Sequence, residues 1–248
     1  MAPALSNLKG KTALISGAFG AIGMAVTKAL RTQGANLILL DIAEMPKSFE
    51  PGQDATIIKV DLSSESSISA VVETIKGKFG RVDILVNNAG ILSNHKMAGT
   101  SLDEWRKVNA VNVEAAFLLS KAFLPKMREA KWGRIINLSS YAAKSGGLTA
   151  GTAYSVSKSA MIGLTFSIAR ETAGEGVTSN AIAPAYVMSP MVSEQLTEAQ
   201  RQHQLSQIPV GRFCEPEEVA HAVSFLASPL AGFITGEVID MNGGLHFD

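Results

Sequence analysis

Seven short apolar runs, most of them separated by longer segments of helical spacing, restrict what this chain can fold into more than any other property of its sequence. The runs are Thr12 to Ser16, Asn36 to Asp41, Ala55 to Val60, Val82 to Asn87, Arg134 to Ser139, Val177 to Ala183 and Glu237 to Met241. Several are apolar throughout instead of alternating, the pattern of parallel strands covered by helices on both faces. Helices are predicted near 21–33, 64–78, 101–129, 151–173 and 215–227. The last opens on Glu215-Pro216-Glu217-Glu218, where proline and acids suit a first turn. The reading is therefore an α/β chain with one seven-stranded parallel sheet between helices, a single domain over 1–248. Ser189 to Gln207 interrupts the alternation and reads equally as a substrate lid or as a surface helix with loose ends.

Composition narrows the partners. A chain of 248 residues, 46% hydrophobic, can build a core without metal or disulfide support, which suits its single cysteine, Cys214. Twenty-two basic residues balance twenty-two acidic ones, with no block of like charge, which argues against nucleic acid as a partner. Apolar runs such as Leu37-Ile38-Leu39-Leu40 fall far short of the roughly 18 residues of a membrane span. The opening Met-Ala-Pro-Ala-Leu-Ser-Asn lacks the basic head and apolar stretch of a secretory signal, so a cytoplasmic location is expected.

After the first strand comes Ser16-Gly17-Ala18-Phe19-Gly20-Ala21-Ile22-Gly23, running straight into an apolar helix. A phosphate at a helix N-terminus meets unpaired N–H groups and the positive end of the dipole, while glycines clear side chains from its path. Glycine spacing alone is weak, but a strand before and a helix after make a dinucleotide cradle the better reading. The second strand ends in Asp41, where a carboxylate accepts hydrogen bonds from ribose hydroxyls and repels a ribose phosphate. No arginine in the loop offsets that repulsion, so NAD(H) is expected over NADP(H).

Tyr154 and Lys158 lie four apart in a helical segment and project from one face. Bringing a phenol from its ordinary value near 10 to neutrality takes about 4 kcal/mol of preferential phenolate stabilisation. An ammonium about 4 Å away supplies roughly that at an effective dielectric of 20. Such a tyrosine would exchange a proton with an alcohol or ketone oxygen while hydride passes between the carbon and a nicotinamide. Ser139 and Ser140 end the fifth strand at the ligand-binding edge of a parallel sheet. Ser140 is the better candidate to hydrogen-bond the substrate oxygen.

Together these residues resemble the short-chain dehydrogenase/reductase family over essentially the whole chain. Gly17 to Gly23 is similar to its cofactor loop, and Asn87-Asn88-Ala89-Gly90 to its sheet-stabilising motif. Tyr154-Ser155-Val156-Ser157-Lys158 resembles its catalytic signature, and Asn180-Ala181-Ile182-Ala183-Pro184 the stretch beside the nicotinamide. The resemblance implies a single-domain Rossmann fold and a tetrad of Asn112, Ser140, Tyr154 and Lys158, with Asn112 holding a relay water to Lys158. It implies cofactor contacts from Gly17, Gly20, Ile22, Gly23, Asp41, Asp61, Leu62, Asn88, Ala89, Gly90, Tyr154, Lys158, Pro184 and Val187, with Asp61 and Leu62 at the adenine. It also implies a homo-oligomer, dimer or tetramer, paired through the helices near 101–129 and 151–173. Two departures stand out: Ala21 occupies the place of the loop's second glycine, and Ala185 that of the glycine after the motif proline.

Segments 91–97, 141–149 and 185–205 are expected around the reacting carbon, offering His95, Tyr141, Ser145, Tyr186, Met188 and Met191 among small residues. This mixed pocket, with no arginine cluster, reads as suited to a secondary alcohol or ketone on a small polyol, hydroxy acid or aryl alcohol. The alternative within the family is a 3-oxoacyl-thioester reductase. Against it stand Asp41, since such reductases commonly prefer NADP(H), and Glu175, where they often place a basic residue to dock an acyl carrier. Lys126, Arg128, Lys131 and Arg134 leave some basic surface nearby. A non-catalytic dinucleotide sensor is a distant third reading, because a pure binder has no use for a phenol and ammonium at the nicotinamide.

Overall fold

A computed structural model describes residues 7–52, 55–188 and 197–247. Seven parallel strands, β1 (Thr12–Ser16), β2 (Asn36–Asp41), β3 (Ala55–Lys59), β4 (Ile84–Asn87), β5 (Gly133–Leu138), β6 (Val177–Pro184) and β7 (Val238–Met241), form one sheet in the order β3-β2-β1-β4-β5-β6-β7. The order reverses between β1 and β4, and ligands of such sheets bind in the crevice at the carboxyl ends beside that switch point.

Unbroken apolar strands follow from the two layers of helix. Ala13, Ile15, Leu37, Leu39, Ile84, Val86, Ile136 and Leu138 point to one face and pack with Val26 and Leu30 of α1 (Ala21–Thr32) and Val219, Val223 and Leu226 of α8 (Pro216–Ala227). Their neighbours Leu14, Ile38, Leu40, Leu85 and Ile135 point the other way, onto α2 (Glu65–Phe79), α4 (Ala115–Glu129) and α6 (Thr152–Thr172). Side chains in a strand alternate faces, so a strand with both faces dry is apolar at most positions, and the buried polar side chains of β5 and β6 such as Asn137 and Asn180 are hydrogen-bonded. This is a single-domain Rossmann fold, as the sequence pattern leads one to expect.

Three differences bear on the site. The expected helix 101–129 is interrupted: α3 (Leu102–Asn109) passes through a π-helical turn, Ala110–Glu114, before α4 begins. A one-residue widening of this kind shows in the sequence only as a shift in the phase of the apolar stripe, which a reading by overall period passes over. A short helix, α5 (Ala142–Ser145), follows β5. Within the polar stretch, 198–207 is helical (α7, Glu198–Gln207), while 189–196, with Met191, lies outside the described residues. Among the described residues no helix is long and apolar enough to cross a membrane.

Candidate active site

The carboxyl ends of β1, β2, β4, β5 and β6 open into one cavity of about 1290 Å³, larger than the roughly 300–1,000 Å³ of common small-ligand pockets. It has room for a dinucleotide and a second ligand end to end. Gly17, Gly20, Ile22, Asp41, Asp61, Leu62, Asn88, Ala89, Gly90, Ser140, Tyr154, Lys158, Pro184 and Val187 all line it.

At the β1–α1 turn, close approach of backbone to backbone explains the glycines. Gly17 sits at φ +63°, and a Cβ there would lie 2.8 Å from Ala89 Cα. At Gly23 a Cβ would lie 2.1 Å from Gly17 O, so this glycine is buried as a spacer and is not itself on the cavity wall. Gly20 is the N-cap of α1 in an extended conformation, and Ala21 opens the helix and faces the cavity. The first turn of α1 carries no acidic side chain, leaving its unpaired N–H groups to an anion. Asn88 ties this turn to β4, its amide donating to Ser16 O at 3.0 Å and Gly17 O at 2.8 Å. The Ser16 hydroxyl accepts from the Asn88 and Ala89 N–H groups, a role sequence reading missed.

Asp41 stands at the end of β2 on the cavity wall. Its Oδ2 accepts from Phe19 N at 2.8 Å and its Oδ1 from Ala43 N at 2.9 Å. A carboxylate has about four acceptor sites, so lone pairs remain for two ribose hydroxyls. Just beyond the end of the neighbouring strand β3, Asp61 accepts from the Ser63 hydroxyl and N–H, which with nearby Lys107 hold its carboxyl below the usual range. Lys107 and Lys158 are the only cations on the cavity wall among the described residues. Lys107 had no signal in sequence, since only the fold brings it near Asp61, just after β3. These features fit a nicotinamide dinucleotide.

At the other end Ser140, Tyr154 and Lys158 converge. The Ser140 hydroxyl hydrogen-bonds the Tyr154 phenol. Ser139 is buried and donates instead to Lys158 O at 2.8 Å, so its role is to fasten α6. The Lys158 ammonium donates to Leu138 O at 2.7 Å and lies 5.7 Å from the centre of the Tyr154 ring. Asn112 falls inside the π-helical turn, its Oδ1 accepting from Ile91 N at 2.8 Å and its Nδ2 donating to Ile91 O and Ser157 Oγ. Gly90 lies between Asn112 and Lys158: a Cβ there would stand 3.3 Å from Lys158 Nζ and 3.4 Å from Asn112 Oδ1.

The electrostatic expectation is corrected here. Burial pushes the Tyr154 phenol above its ordinary value, and the Ser140 hydrogen bond draws it only partway back. Lys158 is not among the causes of that shift; its ammonium donates to the Leu138 carbonyl and is itself pushed down to about 8 by burial. Tyr154 is therefore held as a proton donor.

Of the expected pocket residues, Tyr141, Ser145 and Tyr186 line the cavity, whereas His95 turns away and is hydrogen-bonded by Glu104. Met188 borders a separate cavity of about 320 Å³. Tyr186 has φ +45°, and its hydroxyl donates to Gln204 Oε1 of α7 at 2.6 Å. The left-handed residue near the motif proline is thus this tyrosine, with Ala185 buried beside it, its N–H donating to Met241 O. Strained backbone of this kind gathers at ligand sites. The basic surface near Glu175 is largely committed: Arg128 pairs with Glu171 and Glu175, Lys126 with Glu129, and Arg134 is buried against backbone carbonyls.

A family model described as Enoyl-(Acyl carrier protein) reductase matches residues 17–246. The chain is 40% identical over 244 residues to 3-oxoacyl-(acyl-carrier-protein) reductase FabG of Vibrio cholerae serotype O1, covering 97% of this chain and 99% of that one. It is 37% identical to the FabG of Escherichia coli strain K12 over the same coverage. A crystal structure of a proposed gluconate dehydrogenase from Agrobacterium tumefaciens superposes with a TM-score of 0.88 at 26% identity, covering 97% of this chain and 98% of that one. The FabG relatives overturn the expectation of a free polyol, hydroxy acid or aryl alcohol in favour of the thioester alternative. The physical reason is that the motifs report proton and hydride chemistry at a carbonyl, not what is attached to it.

Proposed function

Since the chain belongs to the short-chain dehydrogenase/reductase family, we propose that it reduces the 3-keto group of an acyl thioester to the 3-hydroxy group with a nicotinamide dinucleotide. The observation that carries this reading is the full-length similarity to 3-oxoacyl reductases, and the proton held on Tyr154 supports the reductive direction. A bound reduced nicotinamide supplies hydride to the keto carbon. Ser140 and Tyr154 hydrogen-bond the keto oxygen, and Tyr154 gives up its proton as negative charge develops there. Lys158, with a water held near Asn112, returns a proton to the phenol. We propose NADH as the preferred donor, because a ribose phosphate would face the Asp41 carboxylate, while Lys107, the cavity-lining cation near that end, acts on Asp61. Pairing of copies through α4 and α6 is also proposed, where Phe117, Val156 and Phe166 stay exposed.

The test is a panel of 3-oxoacyl thioesters, on acyl carrier protein and on coenzyme A, beside free polyols and hydroxy acids, followed by absorbance of reduced nicotinamide. Thioester reduction faster with NADH than with NADPH is expected, by about 10-fold or more. Turnover confined to free alcohols would reject the substrate, and equal use of both donors would reject the role of Asp41.

A pH profile probes the lysine. Its folded value of about 8 lies below the ordinary 10.5, so the ammonium is present below about pH 8 and lost above it. Reductive kcat/KM should be flat below that point and fall about tenfold per pH unit above it, since this parameter reports the free enzyme. In Lys158→Arg the limb should vanish, a guanidinium keeping its proton throughout. A wild-type profile flat to pH 9.5 would remove Lys158 from the proton path.

A further inference from the structure

The segment joining α5 to α6 forms one wall of the cavity through Leu148, Thr149 and Ala150, four to six residues before Tyr154. It has no strand or long helix of its own, and Gly146 and Gly147 both sit at positive φ. What holds it comes from the loop after β4. Lys96 reaches across with its ammonium on three carbonyls of that wall: Gly147 O at 2.5 Å, Ala150 O at 2.7 Å and Leu148 O at 3.3 Å. An ammonium has three protons, and all three are used. Two backbone bonds close the seam, Gly151 N to Ser93 O at 2.6 Å and Thr152 N to His95 O at 3.0 Å. The supporting loop is fastened in turn, because Glu104 of α3 accepts from the Ser93 hydroxyl at 2.6 Å and engages His95 Nδ1 at 2.9 Å.

Three carbonyl oxygens converging on one point make a cation cage, and this chain fills it with its own side chain. Lys96 does not line the cavity and touches no reacting atom. We propose that Lys96 is a positioning residue that sets the shape of the substrate wall, so that it governs affinity for the acyl substrate and not the proton or hydride step. This rests on the reading that the wall faces an acyl thioester. The wall is at the Tyr154 end of the cavity, whereas the glycine turn and Asp41 stand across the sheet on β1 and β2. Cofactor binding is therefore expected to be indifferent to Lys96.

The experiment uses three variants. Lys96→Met keeps the stem and removes the donors; Lys96→Arg keeps a cation with several donors; Lys96→Ala leaves a channel for an added amine. Amide hydrogen exchange of the peptide spanning 146–153 is read first, because it needs no substrate. Lys96→Met should exchange there at least tenfold faster than wild type, with β1 and α1 peptides unchanged. With acetoacetyl-coenzyme A, KM should rise about tenfold while kcat and the Kd of NADH stay within twofold. Lys96→Arg should recover at least half of the KM loss, and propylammonium chloride should restore slow exchange in Lys96→Ala where tetramethylammonium, which has no N–H, does not. Unchanged exchange in Lys96→Met would overturn the proposal, as would a fall in kcat or NADH binding equal to the change in KM. If wild type fails to reduce the thioester while the exchange results hold, the substrate assignment falls and the cage remains.

Discussion

Tyr154→Phe is expected to lower kcat for thioester reduction by roughly 10²–10⁴-fold, the usual worth of a positioned proton donor, with the Kd of NADH within threefold of wild type. The substitution removes one oxygen and keeps the ring. That oxygen is hydrogen-bonded to Ser140 and carries a proton whose loss burial disfavours, so it is a donor already in place before a ketone arrives. Ser140 has a second tie, accepting from Ala142 N at 3.1 Å, so losing its phenol partner should not displace it. Turnover by stopped-flow and NADH binding by fluorescence decide the matter. A variant within tenfold of wild type in kcat would place the proton elsewhere.

Gly23→Ala should abolish cofactor binding and destabilise the fold together. The added methyl carbon would stand 2.1 Å from Gly17 O and 2.8 Å from two Ala18 backbone atoms, and no flexible side chain is there to yield. Either α1 moves off the sheet or Gly17 leaves its conformation, and each opens the contact between the turn and Ala89. Overpacking of this severity costs about 3 kcal/mol or more, which in a chain of this size lowers Tm by roughly 5–10 °C. NADH affinity should fall by at least about 100-fold, since the amides of α1 are re-aimed. Gly77→Ala, inside α2 with nothing within 4 Å of the new carbon, is the control and should leave binding unchanged and Tm equal or higher. If Gly23→Ala binds NADH normally, the turn is not the cradle described.

The sheet was legible because both faces of every inner strand are dry, which stamps apolar runs on the sequence. The β1–α1 turn was legible for a related reason: close approach of backbone to backbone demands glycine, and Asp41 ends a strand whose limits could be read. What escaped were features whose causes are not periodic. Lys96 binds backbone carbonyls, which every residue offers, so no sequence pattern announces the partners. His95, expected near the substrate, is drawn off by Glu104 on a helix whose packing the sequence does not specify. The mutual influence of Tyr154 and Lys158 was misjudged because spacing on a helix gives proximity but not burial, and burial dominates both groups.

The π-helical turn at Ala110–Glu114 gives one continuous rod two angular settings. Upstream, α3 is oriented by Glu104 toward the loop after β4; downstream, Ala115, Leu119, Phe123 and Met127 are rotated to meet the sheet. Removing one residue from the turn would restore ordinary winding and swing everything beyond it by about 100°. No compromise rotation serves both ends, so the wide turn works as a phase adjuster, and Asn112 inherits its inward aim from that mismatch. Length changes in this rod are thereby excluded from the routes along which the protein can drift, even though single side-chain replacements on its wet face are not.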